Sequence, residues 1–224
     1  MFLDADSICI EPIDEELLSS SLQVLHSLIG LNKVKNEIDE LVKLVRFYRE
    51  IGKDVRQSFS LHTVFTGNPG TGKTTVARIL AQIYKALGIL ERGNLVECDR
   101  QDLVGGFVGQ TALKTNAVLN KAMGGVLFID EAYALSEGGE NDFGKEAVET
   151  ILKKMEDVRG DMIVIVAGYT DNMKRFLESN PGLNSRFDRE MQFEDYDALQ
   201  LHEIAIKMLA NNAIKPTEEA SNHL

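Results

Sequence analysis

Eight residues in the first third of the chain, Gly67-Asn68-Pro69-Gly70-Thr71-Gly72-Lys73-Thr74, constrain its fold more than any other stretch. They satisfy the phosphate-loop pattern G-x-x-x-x-G-K-[ST], which has mechanical meaning only where a strand runs into it and a helix leaves it. Both flanks comply: the apolar run Leu61-His62-Thr63-Val64-Phe65-Thr66 leads in, and an apolar-periodic segment from Val76 to Leu87 leads out. In that setting the backbone N–H groups from Gly70 to Thr74 wrap a phosphate, and the positive end of the new helix faces it. Lys73 then reaches the β- and γ-phosphates, the Thr74 hydroxyl holds Mg²⁺, and Thr75 follows in the first helical turn. The rival reading, a Gly/Pro turn before an ordinary helix, leaves the agreement of both flanks unexplained. The motif predicts binding of a nucleoside triphosphate, and the lack of an Asn-Lys-x-Asp segment for reading guanine points to ATP.

From Leu61 onward the pattern repeats as strand, turn, helix. Short apolar strands are expected at Leu61 to Thr66, Leu95 to Cys98, Val126 to Ile129 and Met162 to Ala167, with a weaker one near Glu190 to Phe193. Helical periodicity lies between them, at Lys73 to Leu87, Thr111 to Met123, Lys145 to Val158 and Asp171 to Glu178. This alternation predicts an α/β fold with a five-stranded parallel sheet and helices on both faces. Ahead of it, a helical stripe from Glu15 to Leu28 stops at Gly30, and Asn32 is the expected N-cap of a second helix running to about Ile51. Three segments result: 1–27, partly helical after a short acidic start; 28–196, the nucleotide-binding domain; and 197–224, a helix from Leu199 to Leu209 and a polar tail.

Val126-Leu127-Phe128-Ile129-Asp130-Glu131 is a buried strand that ends in two carboxylates. Beside a phosphate loop, Asp130 suits the water shell of Mg²⁺ and Glu131 suits a base that deprotonates the attacking water. Standing alone, the same segment would be acidic residues closing a strand.

Composition removes several other functions. A net charge of -11 disfavours a nucleic-acid groove, which needs clustered Lys and Arg. The two cysteines, Cys9 and Cys98, and the histidines His26, His62, His202 and His223 show neither disulfide nor zinc spacing. No apolar run approaches the roughly 18 residues of a membrane span. The amino terminus lacks the basic start of a secretory signal, so a reduced, cytoplasmic setting is expected.

The Asp-Glu strand ending and the order of elements resemble the AAA+ ATPases. Phe65 to Arg78 and Gly124 to Tyr133 are similar to one branch of them, the CbxX/CfqX group. That group includes red-type rubisco activases, the stage V sporulation protein K type and ATPase domains of type VII secretion systems. Asp102-Leu103-Val104 with Lys114-Thr115, and Ala167-Gly168-Tyr169 with Ser179-Asn180-Pro181-Gly182, match it as well, so the resemblance runs from about Leu28 to Ile206. It implies a P-loop NTPase core of the AAA+ type with the start of a C-terminal helical lid. The activity it implies is Mg²⁺-dependent ATP hydrolysis that remodels a protein client inside a hexameric ring. Ile29 and Gly30 would pack on adenine, although a helix C-cap explains Gly30 equally well. Phe107, Val108 and Gly109 would form the loop that grips the client, unless Phe107 folds back into the core. Arg186 and Arg189 would reach a neighbour's γ-phosphate, with surface pairing to Glu190 or Glu194 as the alternative.

Two departures from the family stand out. The polar sensor expected at the end of Met162 to Ala167 is replaced by Gly168-Tyr169-Thr170, which leaves Thr170 as the nearest candidate with Asn172 two residues on, and no second sensor Arg follows Arg189. The lid is therefore expected to be cut short. A nucleotide-gated interaction module with little hydrolysis is the alternative function, and a DNA-dependent AAA+ ATPase the less favoured one, given the acidic balance.

Overall fold

The computed structural model describes residues 12–107, 109–138 and 142–214. The acidic start, Val108, the middle of the loop after Ser136 and the polar tail lie outside the described residues. Five strands, β1 (Thr63–Thr66), β2 (Leu95–Cys98), β3 (Val126–Ile129), β4 (Ile163–Gly168) and β5 (Arg189–Gln192), form one sheet in the order β2-β3-β4-β1-β5. Every pairing is parallel. The helices are α1 (Glu15–His26), α2 (Asn32–Glu50), α3 (Val55–Ser58), α4 (Lys73–Ala86), α5 (Arg100–Leu103), α6 (Gln110–Ala122), α7 (Gly144–Asp157), α8 (Thr170–Glu178), α9 (Pro181–Asn184) and α10 (Ala198–Asn211). A 3₁₀ turn, Ala132–Leu135, follows β3.

The sheet holds together because successive strand residues point to opposite faces, and both faces are covered. Phe65, Phe128, Ile163 and Ile165 join one buried cluster with α1, α2 and α4. Val64, Leu127, Ile129, Val164 and Val166 join a second cluster with α6, α7 and α8. Phe65 anchors the first, its ring centroid 4.9 Å from that of Phe193 and 6.4 Å from that of Phe128. The helix after β1 thus lies on one face and the helix after β3 on the other. Such a divergence opens a crevice at the carboxyl ends of the strands, where α/β sheets hold their ligands.

The short helices α3, α5 and α9 were not legible from periodicity, since one turn carries no repeat to recognise. Each is defined instead by an acidic or amide cap: Asp54, Asp99 and Asn180 accept from backbone N–H groups at the start of α3, α5 and α9. The expectation for Asn32 needs correction. It is the first residue of α2, and the N-cap is Leu31 in a left-handed conformation (φ 56) without a side-chain cap. Gly30 is left-handed too (φ 63), so the chain turns sharply there, and Leu31 is directed toward the phosphate loop rather than the cap toward the helix. Gly30 is not the C-cap of α1, a position held by Ser27. Helix α10 buries none of its residues and rests on α1 through Lys207 Nζ, which donates to the Ser27 carbonyl at 2.6 Å.

His62, at the entry to β1, accepts the Val164 N–H on Nδ1 at 2.9 Å, which leaves the ring proton on Nε2. Burial, reinforced by the positive charges of Arg186 and Arg159, pulls its pKa from 6.5 down to about 4. As pH falls, the unfolded chain therefore takes up this proton first. His62 leaves stability intact above about pH 6.5 and erodes it progressively down to about pH 4. Between pH 7 and pH 5 the native chain is expected to lose about 2 kcal/mol more than His62→Gln, whose amide oxygen keeps the Val164 bond. Urea unfolding of both at the two pH values checks this; equal losses would contradict it.

Candidate active site

The phosphate loop begins where the ladder of β1 gives out. Gly67 N–H donates to the Gly168 carbonyl of β4 at 3.1 Å, while Phe193 N–H, just past β5, donates to the Thr66 carbonyl at 2.7 Å. The two neighbouring strands thus hold the Thr66–Gly67 peptide at which the loop begins. Gly67 has φ +144, and a β-carbon there would lie 2.4 Å from the Phe193 carbonyl oxygen, so no other residue fits this exit. The loop then turns into α4, whose first helical residues are Lys73, Thr74 and Thr75.

A cleft of about 330 Å³ opens above this loop. Gly67, Pro69, Gly70, Gly72, Lys73, Thr74 and Thr75 line one side, and Asp130, Glu131, Gly168 and Tyr169 line the other. The N-terminus of α4 points its free N–H groups into this space, which suits an anion. Lys73 Nζ donates to the Gly67 and Asn68 carbonyls at 2.9 and 2.7 Å. Burial lowers its pKa, and the carboxylates of Asp130 and Glu131 across the cleft oppose that shift. The ammonium thus waits beside the loop with two negative charges facing it.

Asp130 and Glu131 follow β3 directly. Asp130 N–H donates to the Cys98 carbonyl of β2 at 2.9 Å, and its Oδ1 accepts the Glu131 N–H at 3.0 Å. Glu131 itself has φ 47 and ψ 41. A left-handed backbone at a non-glycine residue costs energy, and such strain collects at functional sites. The turn it enforces keeps the carboxylate in the cleft instead of continuing the strand. Behind it, the Tyr133 and Tyr169 rings stand 6.1 Å apart, and burial followed by the charge of Glu131 raises the Tyr133 pKa.

Two of the expected nucleotide-binding residues face away from the cleft and brace the loop. Asn68 Nδ2 donates to both Asp195 carboxylate oxygens, at 2.9 and 2.8 Å, and the buried Thr71 hydroxyl donates to the Asn68 carbonyl at 2.8 Å. Tyr196, which pattern reading missed, donates its hydroxyl to the Thr71 carbonyl at 3.2 Å. A β-carbon on Gly72 would lie 3.2 Å from that hydroxyl and 3.6 Å from Leu31 Cδ1. Leu31 is thus the member of the 28–31 segment directed at the loop; Gly30 abuts the Gln200 side chain, and Ile29 is half-buried beside it. Only the pairing of β5 with β1 brings Asp195 and Tyr196 here, and no local motif marks them. Thr170 opens α8 one residue beyond the cleft lining, and Tyr169 is the residue that lines the cleft there.

Phe107 is 73% exposed, on a loop whose base is clamped. Gly105 N–H donates to Thr111 Oγ1 at 3.0 Å, Thr115 Oγ1 donates to the Leu103 carbonyl at 2.9 Å, and Lys114 Nζ donates to the Gln101 and Val104 carbonyls. Gly109 caps the start of α6 in a left-handed conformation, whereas Val108 lies outside the described residues. Arg186 and Arg189 sit at the opposite end of the sheet. Arg189 pairs with Thr63, the first residue of β1, so a whole strand of about 10 Å separates it from the phosphate loop. Arg186 lines a different cavity, of about 280 Å³, which shares no lining residue with the cleft.

A parallel sheet in this order, with a phosphate loop after β1 and an Asp-Glu pair after β3, defines a P-loop NTPase. Residues 63–195 match the model of the "ATPase family associated with various cellular activities (AAA)". The chain is 44% identical over 199 residues to stage V sporulation protein K of Bacillus subtilis, covering 88% of this chain and 62% of that protein. It is 47% identical over 214 residues to the chromosomal CbxX of Cupriavidus necator, covering 92% of this chain and 68% of that one. The chain belongs to the AAA ATPases, in their CbxX/CfqX branch. A Thermotoga maritima RuvB variant has the same fold at 22% identity, with a TM-score of 0.57 over 85% of this chain and 55% of its own.

Gly67→Ala is expected to destabilise the fold by about 1–3 kcal/mol and to weaken ATP binding at least about tenfold. Gly106→Ala, whose β-carbon meets nothing within 4 Å, is expected to stay within about 1 kcal/mol of the native chain. Denaturant unfolding and nucleotide titration of both variants check this, and a Gly67→Ala chain of native stability and affinity would contradict it.

Proposed function

We propose that this chain binds ATP with Mg²⁺ in the cleft above the phosphate loop and hydrolyses it within a ring of copies, using the energy to move a protein client. The observation that carries the reading is the convergence of Lys73, Thr74, Asp130 and Glu131 on one cleft while Arg186 lies at the far end of the sheet. Backbone N–H groups at the start of α4 and the Lys73 ammonium bind the β- and γ-phosphates. Glu131 orients a water against the γ-phosphorus and takes its proton as the bond to the ADP oxygen breaks, giving ADP and inorganic phosphate. Asp130 and the Thr74 hydroxyl fit Mg²⁺, a hard cation that takes few protein ligands and fills its shell with water and phosphate oxygens. When bound, the ion neutralises charge on the phosphates.

Arg186 lies too far from its own cleft to act there, so it serves the nucleotide of a neighbouring copy. The family resemblance implies six copies in the ring. Phe107 is the client contact: an exposed aromatic ring on a clamped loop offers area to a polypeptide regardless of sequence. The identity of 47% to CbxX supports a protein client of the kind that branch serves, and among the described residues no helix is long and apolar enough to cross a membrane.

Glu131→Gln is expected to keep ATP affinity while slowing hydrolysis by about 10²- to 10⁴-fold. Isothermal titration and phosphate release measure the two, and normal hydrolysis would remove Glu131 from the role of base. Phe107→Ala is expected to melt with the native chain but to lose any stimulation of hydrolysis by an unfolded polypeptide. A large drop in melting temperature would instead make Phe107 a packing residue.

A further inference from the structure

The two arginines that the sequence offers as neighbours part company in the fold. Arg189 shares a face of β5 with the buried Met191, and its charge reaches Glu37 on α2 and Tyr84 on α4. Arg186 turns to the other side, toward the end of α7. The second guanidinium near it is therefore Arg159, not Arg189. Between the two stands Glu156, in the last turn of α7.

One carboxylate serves both cations, unequally. Arg159 Nη2 donates to Glu156 Oε1 and Oε2 at 2.8 and 3.0 Å, whereas Arg186 Nη2 reaches Oε2 at 3.3 Å. A second long bond, 3.3 Å from Arg186 Nη1 to the Gly182 carbonyl, completes its holding, and Arg186 Nε is buried without a partner. The backbone beneath is firm: Ser60 Oγ donates to the Arg186 carbonyl at 2.7 Å, and Phe187 is buried. Arg186 is thus a guanidinium aimed by two weak contacts from a fixed base, lining a cavity that shares no residue with its own cleft.

We propose that Glu156 is the positioning residue of Arg186, holding its guanidinium extended for the terminal phosphate of a nucleotide bound to a second copy of this chain. The proposal rests on the reading of Arg186 as a group that acts in trans. A free arginine side chain samples many rotamers, and fixing it in advance removes that cost from the catalytic step. The inequality of the contacts makes release easy. When a phosphate takes the guanidinium, the long bond to Glu156 gives way, and Glu156 remains neutralised by Arg159. That neutralisation matters because a carboxylate in the last helical turn faces the negative end of the helix. Ion pairs this exposed contribute little to folding, so the arrangement acts through geometry rather than stability.

The test is a double-mutant cycle on the full chain, with turnover per subunit measured where the rate no longer rises with protein concentration. Glu156→Gln is expected to lower kcat about 5- to 10-fold with KM for ATP within about twofold, and Arg186→Ala to lower it further. The double variant is expected to match Arg186→Ala alone, because a residue that acts only through Arg186 has nothing left to position. Melting temperatures of Glu156→Gln and the native chain are expected to agree. Native or faster turnover in Glu156→Gln, an additive double variant, or a large loss of melting temperature each overturns the proposal while leaving Arg186 in place. Native turnover in Arg186→Ala overturns the trans reading itself, and this proposal with it.

Discussion

The structure depends on how β1 ends. Its last residue is held on both sides, with Gly67 N–H on the Gly168 carbonyl and Phe193 N–H on the Thr66 carbonyl. The ladder therefore continues one residue past the strand in each direction, and the phosphate loop leaves from a fixed point. Only a residue without a β-carbon passes the Phe193 carbonyl there. Everything downstream inherits that position. Helix α4 starts where the loop aims it, Lys73 folds onto the loop carbonyls, and β3 delivers Asp130 and Glu131 to the same end because β3 and β1 both pair in parallel register with β4. The buried aromatic contacts among Phe65, Phe128 and Phe193 lock the strands that carry these groups.

The sheet also separates two kinds of chemistry by its length. The carboxyl end carries the cleft lined by Lys73, Thr74, Asp130 and Glu131, the groups proposed to bind phosphate and activate water. The amino end carries Arg186, His62 and the ion pairs around Glu156, in a cavity of their own. On the proposed reading, a cation at that end of the sheet serves another molecule, and turnover then requires assembly. His62, Arg159 and Arg186 all line that cavity, and burial first, then the two guanidiniums, depresses the His62 pKa.

Much of this was legible in the sequence, for identifiable reasons. The continuously apolar strands Val126 to Ile129 and Ile163 to Gly168 announce burial on both faces, and the phosphate loop has a spacing that few other structures require. Lys73, Thr74, Asp130 and Glu131 could be gathered because each stands beside a strand end. Asp195, Tyr196 and Leu31 could not, since they reach the loop through strand pairing and a left-handed turn that no periodicity reveals. Asn32 had the composition of a cap, yet the turn before it belongs to Gly30 and Leu31. Arg186 and Arg189 looked alike because they are close in sequence. They part because β5 begins only at Arg189, which is fixed on the strand, whereas Arg186 stays in the turn after α9 and faces the end of α7.

The central claim is that one active site is built from two copies. It is tested most directly by mixing two variants that are each defective alone. Glu131→Gln lacks the proposed base but keeps Arg186, and Arg186→Ala lacks the proposed trans cation but keeps Glu131. If sites are shared, a mixture contains junctions where an intact Glu131 meets an intact Arg186, and phosphate release should rise well above the sum of the separate proteins. A mixture no faster than that sum, under conditions where the two variants are seen to co-assemble, would contradict the account.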